Sequence, residues 1–144
     1  MNPSDLQLVC DSLDRALEQE SEFGEEFYRQ LTSDHPELMA VFQRVNMKAQ
    51  HMRFAGMLRI IIHRLNAGRS VESLLRDLGR QHRQYGVSIG DFDKFGESLI
   101  QVILRLGCGD SNNLVAKAWQ SIFNDIADRM ISAMKDPVCP LSGK

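Results

Sequence analysis

Apolar residues recur every three to four positions along nearly the whole chain, and strict apolar–polar alternation is almost absent. That rhythm restricts the fold to helices. Leu6, Val9, Leu13 and Leu17 form a first stripe, with acids and Arg15 opposite. Phe23, Phe27, Tyr28 and Leu31 form a second, stopped by Asp34-His35-Pro36. Pro36 fits the first turn of a short helix carrying Leu38, Val41 and Phe42, because its missing N–H would be unpaired there anyway. After the polar stretch from Gln43 to Asn46 comes the longest apolar face: Met47, Phe54, Met57, Leu58, Ile61 and Leu65, ended by Asn66-Ala67-Gly68. Ser70 reads as the N-cap of a helix through Leu74, Leu75 and Leu78 to about Tyr85, with Gly86 as its left-handed stop. Ser88 to Asp91 has N-cap spacing and opens a helix bearing Phe92, Phe95, Leu99, Val102, Ile103 and Leu106, broken at Gly107-Cys108-Gly109. A last stripe holds Leu114, Val115, Trp119, Ile122, Ile126, Met130 and Met134, and Pro137 and Pro140 forbid its continuation. The expectation is six or seven helices in one all-α domain.

Composition narrows the function classes. A chain of 144 residues has room for one ordinary domain, and a net charge of −2 argues against binding nucleic acid through its phosphates. A membrane span needs about 20 predominantly apolar residues in a row, and none occurs. Met1 to Asp5 lacks the charged start and apolar run of a signal peptide. The three cysteines, Cys10, Cys108 and Cys139, are odd in number and far apart, which reads as free thiols in a reducing cytoplasm. Phosphate loops, dinucleotide-binding glycines, nucleophile elbows and His-Glu-x-x-His helices are all missing. Of the four histidines, none pairs with another His or with a Cys at zinc-type spacing, so no structural zinc site is expected. His35 and His63 read as surface residues.

His82 stands apart. It follows Leu78 by one turn, so its Nδ1–H can reach the carbonyl at i−4 and leave Nε2 as a metal ligand of fixed tautomer. Leu74, Leu75, Leu78, Val87, Phe92, Phe95 and Leu99 surround it with apolar surface. An imidazole aimed into such a wall suits a flat hydrophobic cofactor better than a hydrated ion.

Three stretches carry a family resemblance. Phe27-Tyr28-Arg29-Gln30-Leu31, with His35-Pro36-Glu37-Leu38 and Val41-Phe42, resembles the second and third helices of bacterial globins. Leu78-Gly79-Arg80-Gln81-His82-Arg83-Gln84-Tyr85-Gly86-Val87 looks like their proximal helix, and Asp91 to Leu99 continues the match. The likeness runs from about Leu6 to Met134 and is nearest to flavohaemoglobin-type and single-domain bacterial haemoglobins. It implies one globin domain over residues 1–144, with a short Pro-containing tail from about 136, and haem b (iron protoporphyrin IX) as cofactor.

The resemblance also implies roles. His82 falls on the proximal haem-iron ligand, and Phe42 on the phenylalanine that packs flat against the haem. Tyr28 and Gln50 fall on the distal pair that hydrogen-bonds a bound gas, with the adjacent His51 as the alternative to Gln50. Phe54 would pack beside the ligand, and Arg53 is either a haem propionate partner or a solvated charge. Leu78, Val87, Phe92 and Phe95 would complete the haem wall. In flavohaemoglobins a tyrosine and a glutamate brace the proximal histidine; the aligned residues here are Phe92 and Met134. His82 should therefore lean on backbone carbonyls. Flavin and nicotinamide domains are not in this sequence, so nitric oxide dioxygenase activity is expected only with a separate reductase.

Three readings follow from the resemblance. One is a haem globin binding dioxygen, nitric oxide and carbon monoxide, for oxygen binding or transport or for nitric oxide detoxification. Another is a haem-based gas or redox sensor acting on a partner protein. The third is a cofactor-free helical module, disfavoured because position 82 is histidine. No nucleic-acid or membrane partner is expected, and both a monomer and a homodimer stay open.

Overall fold

The computed structural model describes residues 2–42, 47–107 and 113–135, apart from the side chains of residues 19–22, 42, 47, 48 and 51. It contains α1 (Pro3–Ala16), α2 (Glu20–Asp34), α3 (Met39–Phe42), α4 (Met47–Asn66), α5 (Glu72–Gln84), α6 (Asp91–Gly107) and α7 (Asn113–Lys135). Short 3-10 turns at Leu17–Gln19 and Pro36–Leu38 join α1 to α2 and α2 to α3. There is no strand among the described residues.

Local chemistry sets most of the boundaries. Asn2 caps α1, its Oδ1 accepting from the Ser4 N–H at 2.7 Å, and Pro3 follows at a position that needs no donor. Pro36 begins the 3-10 turn as the sequence predicts. Gly86 closes α5 with φ +86°, and the N–H of Val87 reaches back to the His82 carbonyl at 3.0 Å. Asp91 opens α6 by accepting from the Ser88 N–H at 3.0 Å, while its own N–H donates to the Ser88 carbonyl.

Two expectations need correction. Val71, not Ser70, is the N-cap residue of α5; the Ser70 hydroxyl accepts from the Glu72 N–H at 3.3 Å, and Val71 itself is buried. Leu114 is 69% exposed: it lies at the start of α7, one residue off the stripe that Val115 begins. The stretch Gln43 to Asn46, Cys108, Gly109 and the Pro137–Pro140 tail lie outside the described residues.

Burial of the helical stripes holds the helices together. Val9, Leu13, Phe23, Leu31, Ile62, Leu75, Val102, Ile103, Trp119 and Ile122 are almost wholly removed from water. Each such side chain contributes roughly 1.5–3 kcal/mol of transfer free energy. The core also holds polar groups that are satisfied: Trp119 Nε1 donates to Ser12 Oγ at 2.8 Å, and that hydroxyl donates to the Val9 carbonyl at 3.0 Å.

The packing order creates a gap. α1 packs against α4, α6 and α7, α2 against α4 and α6, and α5 against α7. The last contact is close: a Cβ on Gly79 would come within 2.5 Å of the Met130 carbonyl oxygen, so only glycine lets α5 approach α7 this far. α4 and α5 are neighbours in sequence but scarcely touch. The space between them is where the site lies.

Candidate functional site

A cavity of about 280 Å³ lies between α4 and α5, floored by α2, α6 and α7. Tyr28, Gln50, Arg53, Phe54, Leu78, His82, Val87, Phe92 and Phe95 all line it. Residues picked from α2, α4, α5 and α6, and from the turn after α5, are thereby brought to one chamber. The side chains of Phe42 and His51 lie outside the described residues. The sequence reading missed Tyr85 and Gln81 on the α5 side and Trp119, Phe123 and Met130 on α7. Tyr85 was findable, since it lies one turn beyond His82 on the same face. The α7 residues were legible only as core, because periodicity shows a face but not what it faces.

On the α5 wall, His82 Nδ1 is 2.6 Å from the Leu78 carbonyl oxygen. A carbonyl only accepts, so Nδ1 carries the proton and Nε2 keeps its lone pair. Burial pushes the ring's pKa down, and the Leu78 carbonyl offsets only part of that. The imidazole is therefore neutral. Among the described residues, no carboxylate is one of the groups that shift it. Phe92 and Phe95 pack around the ring, with centroids 5.5 and 6.5 Å away. Phe92 and Met134 are both buried and share a cluster with Val87 and Ala127. The two positions aligned with the flavohaemoglobin braces thus form an apolar wall.

The opposite wall carries a hydrogen-bonded polar pair, Tyr28 and Gln50. Tyr28, only 9% exposed, receives a hydrogen bond on its Oη from Gln50 Nε2 at 3.3 Å. Burial pushes its phenol up to about 12, against smaller opposing effects of the Gln50 hydrogen bond and the Arg53 charge. It stays a neutral hydroxyl under any ordinary condition. Phe54 stacks on Phe27 at 4.4 Å and on Phe23 at 5.9 Å, and meets the Tyr28 ring edge-on at 5.8 Å. Those stacked rings fix the height of Tyr28 above the cavity.

These features fit a haem. The cavity wall is chiefly aliphatic and aromatic, one neutral imidazole offers an unprotonated nitrogen, and the facing wall offers hydrogen-bond donors.

His63 is exposed, as the sequence reading has it, yet it has close partners. His63 lies against Cys10, with Nε2 3.6 Å from Sγ, and the same Nε2 is 2.7 Å from Asp14 Oδ1. The residues are far apart in sequence, so spacing rules had no access to the pairing. Burial, then the carboxylates of Asp14 and Asp11, push the Cys10 thiol up, while an Asn66 hydrogen bond pulls the other way. His35 is half-buried rather than superficial, with Nδ1 3.7 Å from Glu37 Oε2. Among the described residues, no helix is long and apolar enough to cross a membrane.

Comparison with known proteins agrees with this geometry. The globin family model matches residues 25–130. A flavohemoprotein of Bacillus subtilis is 26% identical over 112 residues, covering 76% of this chain and 28% of the relative. One from Bacillus cereus is 25% identical over 130 residues, covering 88% of this chain and 32% of the relative. The chain thus spans less than a third of the length of these relatives. Among solved structures, the myoglobin of Aplysia limacina superposes with a TM-score of 0.81 at 14% identity, over 94% of this chain and 99% of that one. A bacterial globin of Campylobacter jejuni gives 0.76 at 18% identity, over 93% and 96%. With the family match spanning most of the chain, the fold shared with two globins and the two-walled cavity in place, the chain belongs to the globin family.

Proposed function

We propose that this globin holds haem b between α4 and α5 and reversibly binds dioxygen, nitric oxide and carbon monoxide. The observation that carries the reading is one cavity with a bare, neutral His82 Nε2 on one wall and the Gln50–Tyr28 hydrogen bond on the other. His82 would hold the haem iron through Nε2. Leu78, Val87, Phe92 and Phe95 would pack against the cofactor, Phe54 would lie beside the gas, and Arg53, exposed to solvent, would take a propionate. By family resemblance Phe42 would also pack against the cofactor. A haem iron held by a single imidazole supplies an open coordination position for a diatomic gas.

The chain's own residues decide how the gas is held. A gas that becomes negative at its outer atom is stabilised by donors in a dry pocket, and the Tyr28 hydroxyl and Gln50 amide are such donors. By donating to the Tyr28 oxygen, Gln50 orients the phenol and strengthens it as a donor in turn. Dioxygen gains from this more than the less polar carbon monoxide. In its catalytic form the activity would be conversion of nitric oxide and dioxygen to nitrate, with electrons from a separate reductase protein. The flavohemoprotein relatives support that direction, as does the resemblance at Tyr28 and Gln50.

Absorption spectra of the reduced, oxygenated and carbonyl forms of the purified protein test the reading. It predicts a strong Soret band with a carbonyl shift, lost in His82→Ala. A colourless protein after haem reconstitution, or native Soret intensity in His82→Ala, overturns it. Mixing the oxygenated form with nitric oxide should give stoichiometric nitrate; intact gas binding without nitrate would remove the detoxification role.

A further inference from the structure

Cys10 and Asp14 lie one turn apart on α1, and His63 reaches them from the last turn of α4. Their sulfur, carboxylate oxygen and imidazole nitrogen atoms all lie within 4.8 Å of one another. From this convergence we infer that Cys10, Asp14 and His63 form a divalent transition-metal site of zinc type, separate from the haem cavity.

Nε2 of His63 is 2.7 Å from Asp14 Oδ1, and Cys10 Sγ lies 3.6 Å from Nε2 and 3.8 Å from Nδ1, alongside the ring and near both nitrogens. A thiol, an imidazole and a carboxylate gathered this closely make a donor set that a cation can draw together. Tetrahedral zinc, with bonds of about 2.3 Å to sulfur and about 2.0 Å to nitrogen and oxygen, separates S from N by about 3.5 Å and N from O by about 3.3 Å. The S–N distance already matches. The N–O distance opens by a rotation of side chains that are each more than two-fifths exposed, 42% for His63 and 45% for Asp14.

The surroundings favour a cation. Asp11 adds a second carboxylate near the sulfur. The sulfur is buried while the other two ligands open to solvent, so water completes the shell. A set of one soft sulfur, one imidazole and one carboxylate selects zinc and its neighbours over magnesium or calcium. Bound there, the ion clips the N-terminal helix to α4, the helix that carries Gln50, Arg53 and Phe54. Two of the three ligands, Cys10 and Asp14, lie outside residues 25–130, the segment that the family model matches.

Zinc chloride titrated into the full chain after chelator dialysis tests the inference by calorimetry and by melting temperature. One ion per chain is expected, with a rise in melting temperature. Cys10→Ser and His63→Gln should each weaken binding at least tenfold and abolish the rise. Asp14→Asn, a conservative change at a half-exposed position, should weaken it too, and circular dichroism confirms that each variant is folded. Replacing Cys108 and Cys139 with serine should leave zinc binding unchanged. Absence of binding, retention of full affinity in folded His63→Gln and Asp14→Asn, or loss only in the Cys108/Cys139 variant would overturn the site.

Discussion

The two walls of the cavity are built by opposite means. On the α5 side His82 is oriented by its own helix backbone through the Leu78 carbonyl, with the rings of Phe92 and Phe95 beside it. On the α2–α4 side, orientation comes from side chains: Gln50 holds the Tyr28 phenol, and the Phe23–Phe54–Phe27 stack sets its place. A backbone acceptor leaves the imidazole neutral, whereas a carboxylate would draw it toward imidazolate. On the proposed function, affinity for the cofactor would reside in one wall and discrimination among gases in the other. Substitutions on the two walls should separate these properties.

The largest expected effect breaks the α5 wall. Gly79→Ala forces a methyl group into the Met130 carbonyl, and overpacking of this kind costs about 1–3 kcal/mol. Chemical denaturation should show that loss together with weaker haem retention, because α5 carries His82; unchanged stability would mean that the helices separate freely. Next is Tyr28→Phe, which should speed dioxygen release about tenfold, the equivalent of 1.4 kcal/mol, with little change for carbon monoxide. Stopped-flow ligand replacement measures both, and equal effects on the two gases would deny the wall its discriminating role. Gln50→Leu should act in the same direction but less, by about two- to tenfold, since it loses one ordinary hydrogen bond. An effect larger than that of Tyr28→Phe would exchange their roles.

A separate effect is on pH. The Tyr28 phenol ionises at about 12 in the fold but near 10, the ordinary tyrosine value, in the unfolded chain. Stability should therefore fall as pH rises from about 10 to about 12, where the unfolded chain releases its proton first. Tyr28→Phe should flatten that part of the profile, measured by denaturation midpoints. A mutant profile that parallels the parent would place the phenol in water.

Much of this was legible in the sequence, and for identifiable reasons. Helical stripes, Pro36, Gly86 and the Ser88–Asp91 pair act over a few residues, so their signals survive without tertiary information. His82 was legible because its orienting partner is one turn away on the same helix. The Cys10–His63–Asp14 cluster was not: two helices far apart in sequence meet there, and nothing local to either marks the meeting. The same holds for Gly79, whose value depends on a carbonyl of α7. Leu114 misled because an apolar residue at a helix start fits a stripe by type but not by angle.

Resonance Raman spectroscopy of the reduced, ligand-free haem protein measures the bond on which the rest depends, the stretch between iron and its histidine. A neutral imidazole tied to a carbonyl should give a band at the low-frequency end of the range for histidine-ligated haems, absent in His82→Gly and restored there by added imidazole. A band shifted up to the strongly hydrogen-bonded, imidazolate end, or one that persists unchanged in His82→Gly without imidazole, would contradict the account.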